Sequence, residues 1–204
     1  MKLYYSPGAC SMSPHIVALE AGLPLSLEAV NLKSKQTATG KDFSQINSKG
    51  YVPCLELDDG SILTEGPAIV QYLADKAPAS KLAPANGSME RVRLQEWLNY
   101  ITTEMHKGVG QLFNPRMPEE YRAVVKELLA KRFDWLSGQL QGKDYVMGSQ
   151  FTVADAYLFT VLGWTAHVGV DLSKWPVLTA YQARIGSRPA VQKAMEAEGL
   201  KKAA

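Results

Sequence analysis

Cysteine is scarce in this chain. Of its 204 residues two are cysteines, Cys10 and Cys54, and three are histidines. They form no CxxC pair and no Cys/His group of zinc spacing, so neither a zinc module nor a disulfide framework is expected, and no metal. A structural bridge between Cys10 and Cys54 would also be out of place in a reducing compartment. An excess of one charge is missing too: 22 Lys and Arg stand against 20 Asp and Glu, a net charge of +2, with no basic stripe. Nothing in that pattern tracks a phosphate backbone, which argues against nucleic acid as a partner. The opening MKLYYSPGAC turns at Pro7-Gly8 after a few apolar side chains, too few for a signal-peptide core or a membrane span. The expectation is a cytoplasmic protein with no membrane partner. Internal repeats and low-complexity tracts are absent. What remains is ordinary globular material, 46% hydrophobic and 21% charged, enough for a sizeable core in one large domain or two modest ones.

The order of elements can be read from punctuation and periodicity. Lys2 to Tyr5 is a short β-prone run stopped by Ser6-Pro7-Gly8. Ser13 and Pro14 suit the start of a helix that continues from His15 to Ala21 and ends at Gly22 and Pro24. Ser26 to Leu32 reads as a second strand. Val52 to Leu57 and Ser61 to Thr64 read as two strands joined at Asp59-Gly60, and Pro67 to Lys76 as a helix. The order β, α, β, then β, β, α gives an α/β module with one sheet. Residues 77–87, APASKLAPANG, have the composition of a linker. Beyond Ser88 the pattern is helical throughout. Leu94, Trp97, Leu98, Ile101 and Met105 form one apolar stripe, and Tyr121, Val125, Leu129, Leu136 and Leu140 another. FTVADAYLFTVLGW opens with Thr152 and Asp155 in N-cap to N3 relation and is apolar enough to be buried nearly all round. WPVLTAYQARIG and RPAVQKAMEAEG add two further helices.

Three features can carry chemistry. Cys10 sits where a strand gives way to a helix, and the unpaired N–H groups and dipole there favour a thiolate. It is equally readable as an inert buried thiol. A thiol of pKa about 8.5 is only about 3% ionised at pH 7, and a helix terminus worth about 0.3 to 1 kcal/mol moves that by less than one unit. A second positive group would be needed, and His106 and Lys107 are the nearest candidates in kind. In GYVPC, Pro53 removes a ladder donor from a strand-like run, which requires an edge, a bulge or a cis turn. Cys54 beside it reads as a packing residue. In LTEGPAIVQYLAD, Glu65 and Gly66 precede a helix, so an acid beside exposed N–H groups can grip both ends of a zwitterion, or simply cap the helix.

Taken in order, YYSPGACSMSPH, GYVPCLELDDG, LTEGPAIVQYLAD and FTVADAYLFT, with the linker between them, resemble a glutathione transferase, specifically of the bacterial beta class. The likeness runs along nearly the whole chain. It implies a thioredoxin-like N-terminal domain (βαβ-ββα) over 1–77, a linker at 78–87, an all-helical C-terminal domain over 88–204, and a homodimer. It matches Cys10 to the cysteine beside the glutathione sulfur and His106 to the histidine that approaches it from the helical domain. Pro53 matches the cis proline that lets the Val52 backbone pair with the cysteinyl group. Glu65 and Gly66 match the γ-glutamyl recognition pair, with glycine where other classes often place serine. Lys35 and Lys107 match basic positions facing the tripeptide's carboxylates, while Asn99, Thr103, Glu104, Met105 and His106 match positions lining the site. Phe113, Trp164 and His167 fall where the class builds an apolar acceptor pocket, although core packing would explain the aromatics as well.

The implied activity is conjugation of the glutathione thiolate, as co-substrate, to an electrophilic apolar small molecule. CSMS also looks like the single-thiol form of a glutaredoxin site, so a glutathione-dependent thiol-disulfide oxidoreductase or reductive dehalogenase working through Cys10 is the alternative. A non-catalytic binding protein is a third reading, against which the intact set Cys10, Glu65 and His106 speaks.

Overall fold

Lys2–Tyr5 forms strand β1, and its central residues Leu3 and Tyr4 are fully buried. In the computed structural model, which describes residues 1–201, this strand is the middle of a five-stranded sheet. Gly8, at φ +70°, makes the turn out of it. Helix α1 then spans Met12–Glu20 and begins slightly before Ser13-Pro14. Ser11 precedes it, yet the Ser11 hydroxyl does not cap the helix. It accepts from the Ser6 N–H at 3.2 Å and donates to the Ser6 carbonyl at 3.3 Å, pinning the loop across its own base. The helix closes as expected at Gly22, whose positive φ lets the Leu23 N–H return to the Ala18 carbonyl at 2.9 Å.

Strand β2, Ser26–Asn31, lies parallel to β1 across the α1 crossover. A two-residue strand β3, Gln36–Thr37, and a single turn α2, Phe43–Ile46, follow in a stretch whose sequence shows no period. Local side chains hold that stretch: the Asp42 carboxylate accepts from the Ser44 N–H at 2.9 Å. Strands β4, Cys54–Glu56, and β5, Ile62–Thr64, form the expected antiparallel hairpin in shorter form. The sheet order is β3-β2-β1-β4-β5, with only β1 and β2 parallel. Helix α3, Gly66–Lys76, completes the βαβ-ββα pattern and packs beside α1.

Two compact units divide the described residues: 1–83 together with 188–201, and Pro84–Ser187. The second unit is helical. Ser88 caps α4, Met89–Tyr100, through its hydroxyl, which accepts from the Arg91 N–H at 3.1 Å. A π-helical stretch, Ile101–His106, continues it into the short α5, Lys107–Gly110. Leu94, Leu98, Ile101 and Met105 of the expected stripe are buried. Helix α6 spans Glu119–Leu140 and buries Val125, Leu129, Phe133, Leu136 and Leu140. Tyr121 is instead 53% exposed, because the whole first turn, Glu119 to Tyr121, lies in solvent.

Helix α7, Val153–Gly163, starts with the expected capping box and is buried along Val153 to Leu162. The Asp155 carboxylate accepts from the N–H groups of Thr152 and Val146, each at 2.8 Å, and from the Tyr181 hydroxyl at 2.9 Å. Burial still pushes its carboxyl up to about 6 against those donors. Helix α8 is Pro176–Gly186 and α9 is Pro189–Ala197. The sequence groups α9 with the helical segment. In space it belongs to the first unit and packs on α1, where Arg188 pairs with both oxygens of Glu20 at 2.6 and 2.9 Å.

Candidate active site

The loop Ser6–Cys10 is fixed from both ends. Ser11 ties down its start, and at its tip the Gly8 N–H donates to Glu198 Oε2 at 2.9 Å. Glu198 is buried, and its other oxygen meets His15 Nδ1 of α1 at 2.9 Å. Cys10 therefore has a defined place at the mouth of α1. Its Sγ–H donates to the Val52 carbonyl at 3.2 Å. Loss of water around the sulfur pushes the thiol up to about 11, the backbone N–H groups of Cys10 and Ser11 pull it part of the way back, and Glu65 opposes ionisation. Cys10 is thus a protonated donor at neutral pH. The helix terminus acts in the expected direction and loses to desolvation. Cys54 is fully buried on β4, and burial raises its thiol to about 11 as well, in keeping with a packing role.

The Val52–Pro53 peptide is cis. It turns the chain into β4 and aims the Val52 carbonyl at Cys10. Glu65 takes φ +69°, a left-handed conformation that costs a non-glycine residue on the order of 1 kcal/mol. Its carbonyl receives the N–H groups of both Ala68 and Ile69, each at 3.0 Å. Its side chain projects into solvent, where Lys49 Nζ approaches Oε1 at 2.6 Å. Lys35, also left-handed at φ +57°, donates from Nζ to the Gly50 carbonyl at 2.9 Å and lies over the exposed Tyr51 ring. The first unit thus gathers Cys10, Val52, Pro53, Glu65 and Gly66 about the mouths of α1 and α3, where Pro53 faces the open side of Gly66.

In the second unit the π-helical turn carries the remaining candidates. Asn99 is exposed and its carbonyl accepts from the Thr103 hydroxyl at 3.1 Å. Glu104 receives Arg132 Nε at 2.6 Å. Met105 is fully buried, so its side chain is core and only its backbone can serve a ligand. Lys107 is exposed. His106 Nδ1 lies 2.5 Å from the Tyr157 hydroxyl. Burial, with the Lys107 charge next to it, pulls the imidazole down to about 4. His106 is therefore neutral at pH 7 and does not supply the second positive charge that the reading of Cys10 asked for. If the phenol donates to Nδ1 the ring N–H sits on Nε2, and if Nδ1–H donates to the phenol oxygen Nε2 is the acceptor.

His106 and Trp164 meet edge to face at 4.8 Å between ring centroids, and Phe113 meets Trp164 at 6.1 Å. Gly110 leaves room beside them, since a Cβ there would stand 3.6 Å from His106 Cδ2. Two of the expected acceptor-pocket residues thus join one ring cluster with His106. His167 is exposed and takes no part in these ring contacts. Sequence reasoning passed over Tyr157, Lys49 and Glu198. A hydroxyl inside an apolar helix must find a partner, and that was the available signal for Tyr157; the other two depend on folding together segments far apart in sequence. No group of three or more potential metal ligands occurs among the described residues.

Two family models match the chain: glutathione S-transferase, N-terminal domain, over residues 8–76, and glutathione S-transferase, C-terminal domain, over residues 100–189. The chain is 46% identical over 201 residues to the glutathione S-transferase GstA of Escherichia coli O157:H7, covering 98% of this chain and 100% of that one. Among solved structures it resembles the bacterial glutathione S-transferase BphK, determined as a ternary complex, with TM-score 0.96 and 57% identity over 98% of this chain and 100% of the other. It also resembles a sphingomonad glutathione S-transferase complexed with glutathione, with TM-score 0.95 and 45% identity over 98% and 100% of the two chains. A beta-class enzyme of Sphingomonas chungbukensis aligns with TM-score 0.95 and 44% identity, over 98% of this chain and 100% of that one.

Proposed function

This chain belongs to the glutathione S-transferase family, and from that premise we propose that its beta-class site joins glutathione to the carbon of an apolar electrophile. The glutathione sulfur attacks, a carbon–sulfur bond forms, and a halide leaves with its electron pair while the thiol proton passes to solvent. With an activated alkene the sulfur adds and the carbon takes up a proton instead.

The observation that carries this reading is the protonated, loop-anchored Cys10 thiol at the mouth of α1. A thiol held as a donor suits hydrogen bonding to the developing thiolate of glutathione, which it would stabilise without being consumed. A disulfide-exchange enzyme would instead need Cys10 as a thiolate, which burial opposes. Glu65 would take the γ-glutamyl ammonium, and the Val52 backbone beside cis Pro53 the cysteinyl group. Lys35 and Lys107 would face carboxylates, with Asn99, Thr103, Glu104 and the Met105 backbone lining the site. His106, neutral at pH 7, would act as the second catalytic group. Phe113 and Trp164 would receive the apolar electrophile. The same reading includes a homodimer, supported by Val124, Leu128 and Trp135, which expose 48%, 44% and 47% of their surface at helical spacing along α6. It also includes detoxification in the cytoplasm; no helix among the described residues is long and apolar enough to cross a membrane.

The test is Cys10→Ala, assayed for glutathione binding by calorimetry and for conjugation of an activated aryl halide. Binding within a few-fold of wild type with conjugation reduced about 10- to 100-fold is expected for loss of one thiolate-stabilising donor. Undiminished conjugation would contradict the role given to Cys10.

A further inference from the structure

A half-exposed phenylalanine at the end of a helical run has little packing of its own to hold it. Phe113 is 50% exposed and closes the helical turn Gln111–Phe113, which prolongs α5. Carbonyls at such an end have no next turn to pair with, and negative charge gathers on them. Two of them are met by one side chain. Arg122 reaches back from the first turn of α6, donating from Nη1 to the Leu112 carbonyl at 2.7 Å and from Nη2 to the Asn114 carbonyl at 3.3 Å. Its Nε stands 3.4 Å from Glu119 Oε2. A cation in the first turn of a helix lies at the wrong end of that helix's dipole, so what its side chain reaches accounts for its place there. The two carbonyls bracket Phe113. A planar, rigid guanidinium that spans both holds the chain just before and just after that residue, with Leu112 buried beside it. The direction in which the Phe113 ring leaves the backbone, edge to face with Trp164 at 6.1 Å between centroids, is thereby set.

We infer that Arg122 is a positioning residue for the electrophile: by clamping the chain on both sides of Phe113 it fixes one wall of the apolar pocket and so favours aryl over small alkyl electrophiles. This rests on the reading that Phe113 and Trp164 receive the electrophile, and deepens it by naming what selects the substrate's shape. A flat ring gains from a wall already in place, because ordering a free side chain on binding costs about 2- to 10-fold in affinity. A methyl group is too small to gain from that wall. Lysine would be a partial substitute, since a compact ammonium on a flexible stem lacks the fork that spans two carbonyls.

The test measures, by calorimetry, the binding of S-methylglutathione and S-benzylglutathione, which differ only in the ring offered to the pocket. Arg122→Gln should bind S-methylglutathione within two-fold of wild type, which also shows that the variant is folded, and S-benzylglutathione about 2- to 10-fold more weakly. Arg122→Lys should fall between the two proteins, and it carries the same test if the glutamine variant does not fold. Phe113→Ala should lower the preference for the benzyl ligand as well, and adding Arg122→Gln to it should lower that preference no further. An undiminished preference in Arg122→Gln beside a diminished one in Phe113→Ala overturns the role of Arg122 and leaves the pocket standing. Equal weakening of both ligands by the Arg122 variants, or additive losses in the double variant, also overturns it. An undiminished preference in Phe113→Ala places the ring elsewhere, and the inference falls with the reading it rests on.

Discussion

At the scale of single residues, desolvation outweighs the local electrostatics that the sequence suggests. His106 is the clearest case. Its folded imidazole takes a proton only near 4, against an ordinary value of 6.5. Between those values the unfolded chain binds a proton that the folded protein does not, so acid favours unfolding. The contribution is fully present above about pH 6.5 and is lost as pH falls toward 4. Chemical denaturation at a series of pH values should therefore give a shallower acid loss for His106→Asn than for the wild type. Equal slopes would mean that the buried imidazole is not the group responsible. The motifs made Cys10, Pro53 and Glu65 legible as candidates, since each belongs to a short run with its own local logic, whereas His106 was placed at the site only through the resemblance. The protonation states of Cys10 and His106 were not legible, because they depend on burial by side chains from other segments. Lys49 and Tyr157 stayed hidden for the same reason: each meets its partner only after the chain folds.

At the scale of elements, strong local signals fixed β1, the α3 start, the Gly22 stop and the α7 capping box. The two-residue β3 and one-turn α2 were not legible, because such short pieces have no period and depend on tertiary contacts. The destination of α9 was hidden for another reason. Its apolar face announces burial without saying against what, and the answer lies in Arg188 with Glu20 and Glu198 with the Cys10 loop. In α7, Asp155→Ala would strip four buried donors of their acceptor at once. Urea unfolding should register a loss of about 2–4 kcal/mol, combining the lost cap with unsatisfied groups. In α5, a Cβ at Gly108 would fall 2.8 Å from Leu129 Cδ2 of α6. Gly108→Ala can be absorbed by a rotation of that leucine. Gly108→Val should cost about 1–3 kcal/mol in the same assay, through overpacking and the branched side chain.

At the scale of the whole molecule, the exposed face of α6 bears on assembly. If Val124, Leu128 and Trp135 are covered by a second copy, Leu128→Glu should shift sedimentation from dimer toward monomer as the protein is diluted. Unchanged sedimentation would place the interface elsewhere. The central claim concerns chemistry: glutathione's sulfur, assisted by the Cys10 thiol, is the nucleophile. The most direct measurement is mass spectrometry of both product and protein after many turnovers with glutathione and an activated aryl halide. The expected result is a glutathione–aryl adduct far in excess of enzyme, with Cys10 recovered as the free thiol. Absence of the adduct, together with protein carrying one glutathione in disulfide linkage at Cys10, would contradict it.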